Sequence, residues 1–307
     1  GNDTISMDAS MASVALNGGN DILTLSAAPT VVGGASVDGG LGVDTVNGFN
    51  GAGDSLVLTT VEILSAGTGN DTITADGSLT NATLNNGADS LSLAAAATAV
   101  TAAIDGGNGV DTVTGSANGD TLQLTTVESI VAGGGADSLT ADGSITSVAL
   151  NGGNDTLTLN SVTGTGPASI DGGAGVDLVN GSATGDTLTL TTVESLVAGI
   201  GNDNITADGT LTSVALNGGN DTLTYTAAVV ASVDGGAGND IVNGFNGVGD
   251  TLTLTTVESV AAGTGNDSIT ADGSLVNATL NGGVDTLTLT AATTATIDGG
   301  AGNDIVN

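Results

Sequence analysis

The most regular feature of this chain is a short alternation of apolar and hydroxyl side chains that recurs along its length. In Asp155-Thr-Leu-Thr-Leu159 the two leucines fall on one face of an extended chain and the two threonines on the other. This period of two predicts half-buried β-strands. Segments such as Ser213–Leu216 and Val193–Val197 are predicted to be return strands that run into Gly-rich turns. No apolar pattern of helical period persists, so an all-β fold is predicted.

These strands belong to a long internal repeat. The tetrapeptide Thr-Thr-Val-Glu ends at the only four glutamates of the chain, which recur at nearly equal intervals: Glu62, Glu128, Glu194 and Glu258. A repeat of about 65 residues divides the chain into units of approximately 1–68, 69–134, 135–200, 201–264 and 265–307. The chain begins and ends inside a repeat motif, which suggests an excerpt of a longer protein.

Each unit contains three Gly-rich turns with an aspartate. The spacing of these aspartates runs through a short, an intermediate and a long step, as from Asp71 to Asp89, then to Asp111, then to Asp137. We therefore predict a single continuous parallel β-solenoid, similar to a β-roll, with three coils in each repeat and about fifteen coils in all. The longest coil carries an extra strand, such as Asp186-Thr-Leu-Thr-Leu190, which is compatible with a third side.

Composition adds an unusual charge. The 307 residues include 33 acids and no Lys, Arg or His, so the formal net charge is −33 and no ion pair between side chains can form. Such acidity is typical of disorder, but 39% hydrophobic residues and a mean hydropathy of +0.31 oppose it. A polyanion should repel nucleic acids and attract cations. Without Cys, His or Lys the chain lacks the usual bases and nucleophiles, so we predict that it is not an enzyme.

The best-formed turns are Gly235–Asn243 and Gly299–Asn307, which both read Gly-Gly-Ala-Gly-Asn-Asp-Ile-Val-Asn. This pattern resembles the calcium-binding nonapeptide of the repeats-in-toxin (RTX) family. The looser spacing here is similar to that of bacterial surface-layer proteins, adhesins and extracellular matrix fibres. In the RTX family nonapeptides follow one another directly, whereas each coil here has one clear nonapeptide. The resemblance therefore implies one well-formed calcium edge and a partial second edge.

The resemblance also implies the turn aspartates as ligands of several Ca²⁺ ions. The best matches are Asp44, Asp71, Asp111, Asp177, Asp203, Asp240, Asp267 and Asp304. Degenerate variants of the turn contain Asp21, Asp89, Asp137, Asp155, Asp221 and Asp285. Stacked strands lie about 4.8 Å apart, and two carboxylates about 5 Å apart repel by about 3 kcal/mol at an effective dielectric constant of about 20. The chain is therefore expected to need calcium to fold.

The remaining acids have less specific patterns. Aspartates in Ala-Asp-Gly are predicted to form simple turns, with second-edge calcium binding as the alternative: Asp76, Asp142, Asp208 and Asp272. For those that precede Gly-Gly, ligation and turn capping both stay open: Asp38, Asp105, Asp171, Asp234 and Asp298. A turn role is favoured for Asp120, Asp186 and Asp250. The four glutamates are predicted to lie on a solvated outward face.

The function that fits these features is structural. We predict a secreted, calcium-stabilised protein that forms a surface layer, fibre or biofilm matrix, located outside the cell or at a bacterial cell surface. It would associate with copies of itself and with calcium, without binding nucleic acid or inserting into a membrane. The alternative is the spacer region of a large RTX adhesin. Repeated Thr-x-Thr pairs also resemble ice-binding surfaces, but the β-propensity of threonine explains them more simply.

Overall fold

Every regular element is a β-strand in the residues described by the computed structural model, which are 1–29, 34–93, 96–161 and 167–307. The strand pairs are parallel throughout these residues. The chain divides into two compact units, Gly1–Leu157 and Thr158–Asn307. No described helix is long and apolar enough to cross a membrane.

The first unit contains sixteen strands. They are β1 (Thr4–Met7), β2 (Ser13–Ala15), β3 (Ile22–Leu25), β4 (Ala35–Asp38), β5 (Thr45–Asn47), β6 (Ser55–Thr59), β7 (Ile63–Ser65), β8 (Thr72–Ala75), β9 (Asn81–Thr83), β10 (Ser90–Ser92), β11 (Thr101–Asp105), β12 (Thr112–Thr114), β13 (Thr121–Thr125), β14 (Ser129–Val131), β15 (Ser138–Ala141) and β16 (Ser147–Ala149). Strand β17 (Thr156–Leu159) straddles the boundary between the units.

The second unit repeats this arrangement. Its strands are β18 (Ala168–Asp171), β19 (Leu178–Asn180), β20 (Thr187–Thr191), β21 (Ser195–Val197), β22 (Asn204–Ala207), β23 (Ser213–Ala215), β24 (Thr222–Tyr225), β25 (Val230–Asp234), β26 (Ile241–Asn243), β27 (Thr251–Thr255), β28 (Ser259–Ala261), β29 (Ser268–Ala271), β30 (Asn277–Thr279), β31 (Gly282–Gly283), β32 (Thr286–Leu289), β33 (Thr296–Asp298), β34 (Ala301–Gly302) and β35 (Ile305–Val306).

Successive strands alternate between two parallel sheets. In the first unit the odd-numbered strands form one sheet and the even-numbered strands form the other. In the second unit β32 and β35 continue the odd sheet, β33 continues the even sheet, and β31 pairs only with β34. One coil is therefore two strands, one in each sheet, so the described part of each unit has eight coils. The predicted parallel β-solenoid is confirmed, with about sixteen coils rather than about fifteen.

The predicted number of coils in each repeat is wrong. Strands β6 and β13 are equivalent in the repeat, yet β6 lies in the even sheet and β13 in the odd sheet. Seven strands separate one repeat from the next, which is three and a half coils rather than three. The extra strand therefore forms a half-coil in the opposite sheet and does not create a third side.

The core lies between the two sheets. In β24, Leu223 and Tyr225 point inward and are buried, while Thr222 and Thr224 are partly exposed. The phenol of Tyr225 donates a hydrogen bond of 3.2 Å to the carbonyl of Leu211. Elsewhere the buried hydrophobic side chains are almost entirely Leu, Val, Ile and Ala. Burial of these small side chains supplies the hydrophobic stabilisation, and the inward period of two explains why the sequence pattern identified the strands.

Candidate metal-binding edges

The acidic residues are stacked at the edges of the solenoid, where the chain passes from one sheet to the other. The nonapeptide aspartates, the aspartates of the Asp120 type and the four glutamates each lie directly before a strand, so those that precede paired strands form a column. We call Asp54, Asp71, Asp89, Asp111 and Glu128 the Asp54 ladder, and Asp186, Asp203, Asp221, Asp240 and Glu258 the Asp186 ladder. The first lies in the first unit and the second in the second unit.

Hydrogen bonds link the rungs of a ladder from coil to coil. In the Asp186 ladder, the backbone N–H of Asp203 donates to Oδ1 of Asp221 at 2.8 Å, and that of Asp221 donates to Oδ1 of Asp240 at 2.9 Å. The same bonds in the Asp54 ladder are 2.6 to 2.8 Å long. Each carboxylate after the first rung therefore satisfies a backbone donor of the preceding coil through one of its two oxygens.

In each ladder, the three aspartates between the first rung and the glutamate have a second oxygen that is buried and has no hydrogen-bond partner. Asp203, Asp221 and Asp240 are at most 2% exposed, and Oδ2 of each is an orphan acceptor. The same holds for Oδ2 of Asp71, Asp89 and Asp111 in the Asp54 ladder, and of Asp21, Asp44, Asp137, Asp267 and Asp285 in other columns. Burying an unpartnered carboxylate is costly, so either a proton or a cation must compensate it.

Backbone carbonyls face the orphan oxygens across the turn glycines. A methyl group built on Gly235 would clash with the carbonyl oxygen of Thr256 and would lie 2.7 Å from Oδ2 of Asp240. At Gly106 the carbonyl oxygen of Thr126 and Oδ2 of Asp111 take the same two places. Among the described residues no three acidic side chains meet as a ready-made metal site. An ion would therefore be held by carbonyl and carboxylate oxygens together, a donor set that suits Ca²⁺.

Replacing Gly235 by alanine is expected to abolish metal-dependent folding of this edge, because the methyl group would occupy the space between the two oxygens. Gly218→Ala is the matched control, since the nearest atom to its added methyl group is 4.0 Å away. Calcium titrations followed by circular dichroism would compare the two variants. Equal calcium midpoints would contradict an oxygen-lined site beside Gly235.

Burial raises the pKa of several turn aspartates, within the two ladders and in other columns, far above 3.8. The pKa values of Asp71, Asp137 and Asp203 are raised to about 7, chiefly by burial and further by the neighbouring carboxylates. The pKa values of Asp111, Asp240 and Asp267 are raised to about 6 for the same reasons. Without a cation these groups therefore hold protons below about pH 6, and at that pH a cation that binds has to displace them.

The predicted ligand residues fall on both edges, so the prediction of one well-formed edge is wrong. In the first unit, Asp21, Asp44, Asp137 and Asp155 precede strands of the odd sheet, whereas Asp71, Asp89 and Asp111 precede strands of the even sheet. In the second unit, Asp177, Asp267, Asp285 and Asp304 lie on the odd side, and Asp203, Asp221 and Asp240 on the even side. The cause is the odd number of strands in each repeat, which moves consecutive repeats to opposite edges.

The glutamates were predicted to lie on a solvated outward face, which is wrong. Glu62, Glu128 and Glu258 are half-buried, and Oε2 of each accepts the N–H of the last ladder aspartate at 2.7 to 2.8 Å. Glu194 accepts the N–H of Asp177 in the same way. Each glutamate is therefore the final rung of a ladder.

Asp120, Asp186 and Asp250 have the predicted turn role, but they are also buried rungs. Oδ2 of Asp120 accepts the N–H of Ser116 at 2.7 Å, and Oδ2 of Asp250 accepts that of Phe245 at 2.7 Å. The turn itself thus satisfies the oxygen that is an orphan in the nonapeptide turns. The even spacing between these residues and the neighbouring acids was the signal that they belong to the columns.

The other surface acids form turns and caps. Oδ1 of Asp76 accepts both the N–H and the hydroxyl of Ser78, and Asp142, Asp208 and Asp272 make the same turn, as predicted. Asp38 accepts the hydroxyl of Thr60 in the next coil at 2.7 Å. The same hydrogen bond joins the hydroxyls of Thr126, Thr192 and Thr256 to Asp105, Asp171 and Asp234. These aspartates therefore cap a turn. Asp298 instead accepts the N–H of Gly300.

The fold and its two acidic edges define the chain as a parallel β-solenoid protein. No protein-family model matches it, and no curated protein does. One solved structure is similar at 21% identity, the X-ray crystal structure of a hyperactive, Ca²⁺-dependent, beta-helical antifreeze protein from an Antarctic bacterium. The match covers 96% of this chain and 79% of that chain, with a TM-score of 0.22. A TM-score this low does not show that the two chains share a fold. Calcium dependence and antifreeze activity are therefore properties of that protein alone.

Proposed function

We propose that this chain is a calcium-stabilised structural solenoid of the RTX type that works outside the cell. The observation that carries the proposal is the row of buried, unpartnered aspartate oxygens along both edges, in a chain without Lys, Arg or His. The proposed calcium ligands are the nonapeptide aspartates and the backbone carbonyls that face them. Millimolar calcium is available outside cells, which would keep even weak sites filled.

Calcium fits these edges better than other common cations. The donors are carbonyl and carboxylate oxygens, and the chain has no Cys or His, so the sulfur and imidazole ligands preferred by zinc and copper are lacking. Magnesium demands a near-ideal octahedron and usually retains several waters, whereas calcium accepts irregular sets of six to eight oxygens. The stacked turns offer an irregular set of carbonyls and carboxylates.

Calcium is expected to control folding directly. At pH 8 in excess chelator the chain should lose its β-sheet circular dichroism spectrum, and added Ca²⁺ should restore it, because the energy of binding becomes energy of folding. Mg²⁺ at the same concentration is the control and should restore much less. A β spectrum that persists unchanged in excess chelator at pH 8 would refute the proposal.

The structural role adds an expectation about assembly. Many outward positions of the strands carry Thr or Ser, and no catalytic group is concentrated in one place among the described residues. We propose that the chain forms sheets or fibres with copies of itself, as in a surface layer or an extracellular matrix. Electron microscopy in calcium should show ordered assemblies that disappear in chelator. A strictly monomeric particle in calcium would favour a spacer role instead.

The outward threonines support a structural role more than ice binding. In the even sheet of the first unit, Thr72 and Thr74 are followed by Ser90 and Ser92 and then by Thr112 and Thr114. The next strand pairs Ser129 and Val131 with those threonines, which ends the flat hydroxyl array after a few coils. Exposed strands favour Thr for its β-propensity without any ligand.

A further inference from the structure

The corner formed by Thr-Thr-Val-Glu differs from every Gly-rich turn. Only three residues, 60–62, separate β6 from β7, whereas six residues, 39–44, separate β4 from β5. The second threonine of each corner has φ of +50°: Thr60, Thr126, Thr192 and Thr256. A β-branched residue rarely adopts this left-handed conformation, and such strain persists only where the surrounding structure imposes it.

Three hydrogen bonds hold this threonine in place. The N–H of Thr256 donates to Oδ2 of Asp272 at 3.1 Å, and its hydroxyl donates to Oδ1 of Asp234 at 2.5 Å. The same hydroxyl accepts the N–H of Gly236 at 2.7 Å. These bonds fix Thr256 on three sides, and its carbonyl oxygen is left directed at Gly235, where an added methyl group would clash with it.

The carbonyl of Thr256 and an orphan carboxylate oxygen lie on either side of Gly235, and a second carboxylate is bonded to the backbone of the same aspartate. Oδ2 of Asp240 lies 2.7 Å from the same methyl position, is buried and has no hydrogen-bond partner. The carboxylate of Glu258 is adjacent, because its Oε2 lies 2.8 Å from the N–H nitrogen of Asp240. The backbone carbonyl of Glu258 is fixed by the N–H groups of Val276 and Asn277. The corners around Glu62 and Glu128 have the same geometry.

We propose that each Thr-Thr-Val-Glu corner is a divalent-cation site of its own kind, in which the threonine carbonyl, Oδ2 of the last aspartate and the glutamate carboxylate bind one Ca²⁺. The choice of calcium rests on the proposed function. The interior rungs differ, because aspartates and carbonyls of Gly-rich turns line them. Glutamate is required at the short corner because its side chain is longer than that of aspartate by one C–C bond, about 1.5 Å.

The test is the number of calcium ions bound at saturation, measured by equilibrium dialysis and metal analysis on the full chain. Glu258→Gln should bind one ion fewer than the parent, because glutamine keeps an acceptor for the N–H of Asp240 but loses the charge. Glu258→Asp should also lose one ion, because the shorter side chain cannot reach. Asp8→Asn is the control, since Asp8 is exposed, lies outside the ladders and carries the same charge.

The outcomes separate this inference from the proposed function. A parent chain that binds no calcium overturns both. A parent that folds with calcium while Glu258→Gln binds the same number of ions with the same affinity overturns only the corner site, and leaves glutamate as a plain acceptor for an N–H group. Circular dichroism at saturating calcium checks that each variant has folded. Should Glu258→Gln not fold, Glu128→Gln in the first unit provides the same count.

Discussion

Without calcium, the chain is expected to be folded at pH 5 and unfolded at pH 8. The buried aspartates are the reason, because protons can replace the missing cations only when the pH is low enough. The pKa values of Asp71, Asp137 and Asp203 are raised to about 7 by burial and by neighbouring carboxylates, and those of Asp111, Asp240 and Asp267 are raised to about 6. At pH 5 the folded chain holds these protons.

The direction of the effect follows from proton linkage. An unfolded aspartate has a pKa of about 3.9, so between that value and about pH 7 the folded state binds more protons than the unfolded state. Stability therefore falls as the pH rises through this window. At pH 8 the carboxylates are charged, their mutual repulsion is complete, and no cationic side chain offsets it.

Circular dichroism in chelator from pH 5 to pH 8 would measure the transition, with the same titration in saturating calcium as the control. Calcium should reverse the slope, because binding requires deprotonated carboxylates and acid displaces the ion. The two stability curves are therefore expected to cross. A calcium-free chain that is more stable at pH 8 than at pH 5 would contradict the assignment of the buried oxygens.

The strands could be predicted from the sequence because the alternation of apolar and polar residues is visible within each strand. Leu157 and Leu159 alternate with threonines in one short segment, and the same alternation marks most strands of the chain. The turn aspartates were equally visible as members of a repeated motif. Local patterns of this kind specify local structure, and parallel stacking follows because a repeated coil can bury its apolar face only against its neighbours.

The edge on which an aspartate lies could not be predicted from the motif, because it depends on whether the number of strands in one repeat is odd or even. The separation in sequence between Asp111 and Asp137 fits either one long coil or one and a half ordinary coils. The acids between them, Asp120 and Glu128, divide this separation into three nearly equal steps, each the length of a half-coil. Only the pairing of β13 with β11 and β15 decides between the two interpretations.

The role of the glutamates was hidden for a different reason. Glu128 accepts a hydrogen bond from the N–H of Asp111, which lies in the preceding coil and far from the tetrapeptide in sequence. No pattern within the tetrapeptide reveals that contact, and an isolated acid at a corner normally faces solvent. The threonine two residues before the glutamate has a left-handed backbone conformation that marks the corner as unusual. That conformation could not be predicted from the sequence, because threonine disfavours it.

Replacing Asp111 by asparagine is expected to change the stability of the chain in opposite directions with and without calcium. Asp111→Asn keeps an oxygen for the N–H of Asp89, which donates to Oδ1 at 2.8 Å. It replaces Oδ2 by an NH₂ group that faces the carbonyl of Thr126 and can donate to it. In saturating calcium the variant should be less stable than the parent, because a charged ligand is lost. A tenfold weaker site corresponds to about 1.4 kcal/mol.

In chelator at pH 6.5 the same variant should be more stable than the parent, because a buried carboxyl group that burial disfavours in its charged form is replaced by a neutral amide. Thermal unfolding of parent and variant in both conditions would measure the two differences, with Asp8→Asn as the control for a change of one surface charge. A variant that is destabilised equally with and without calcium would mean that Asp111 is needed for packing or hydrogen bonding alone. If the variant is less stable than the parent in calcium and more stable in chelator, the carboxylate of Asp111 must destabilise the metal-free solenoid and bind the ion in the metal-bound one.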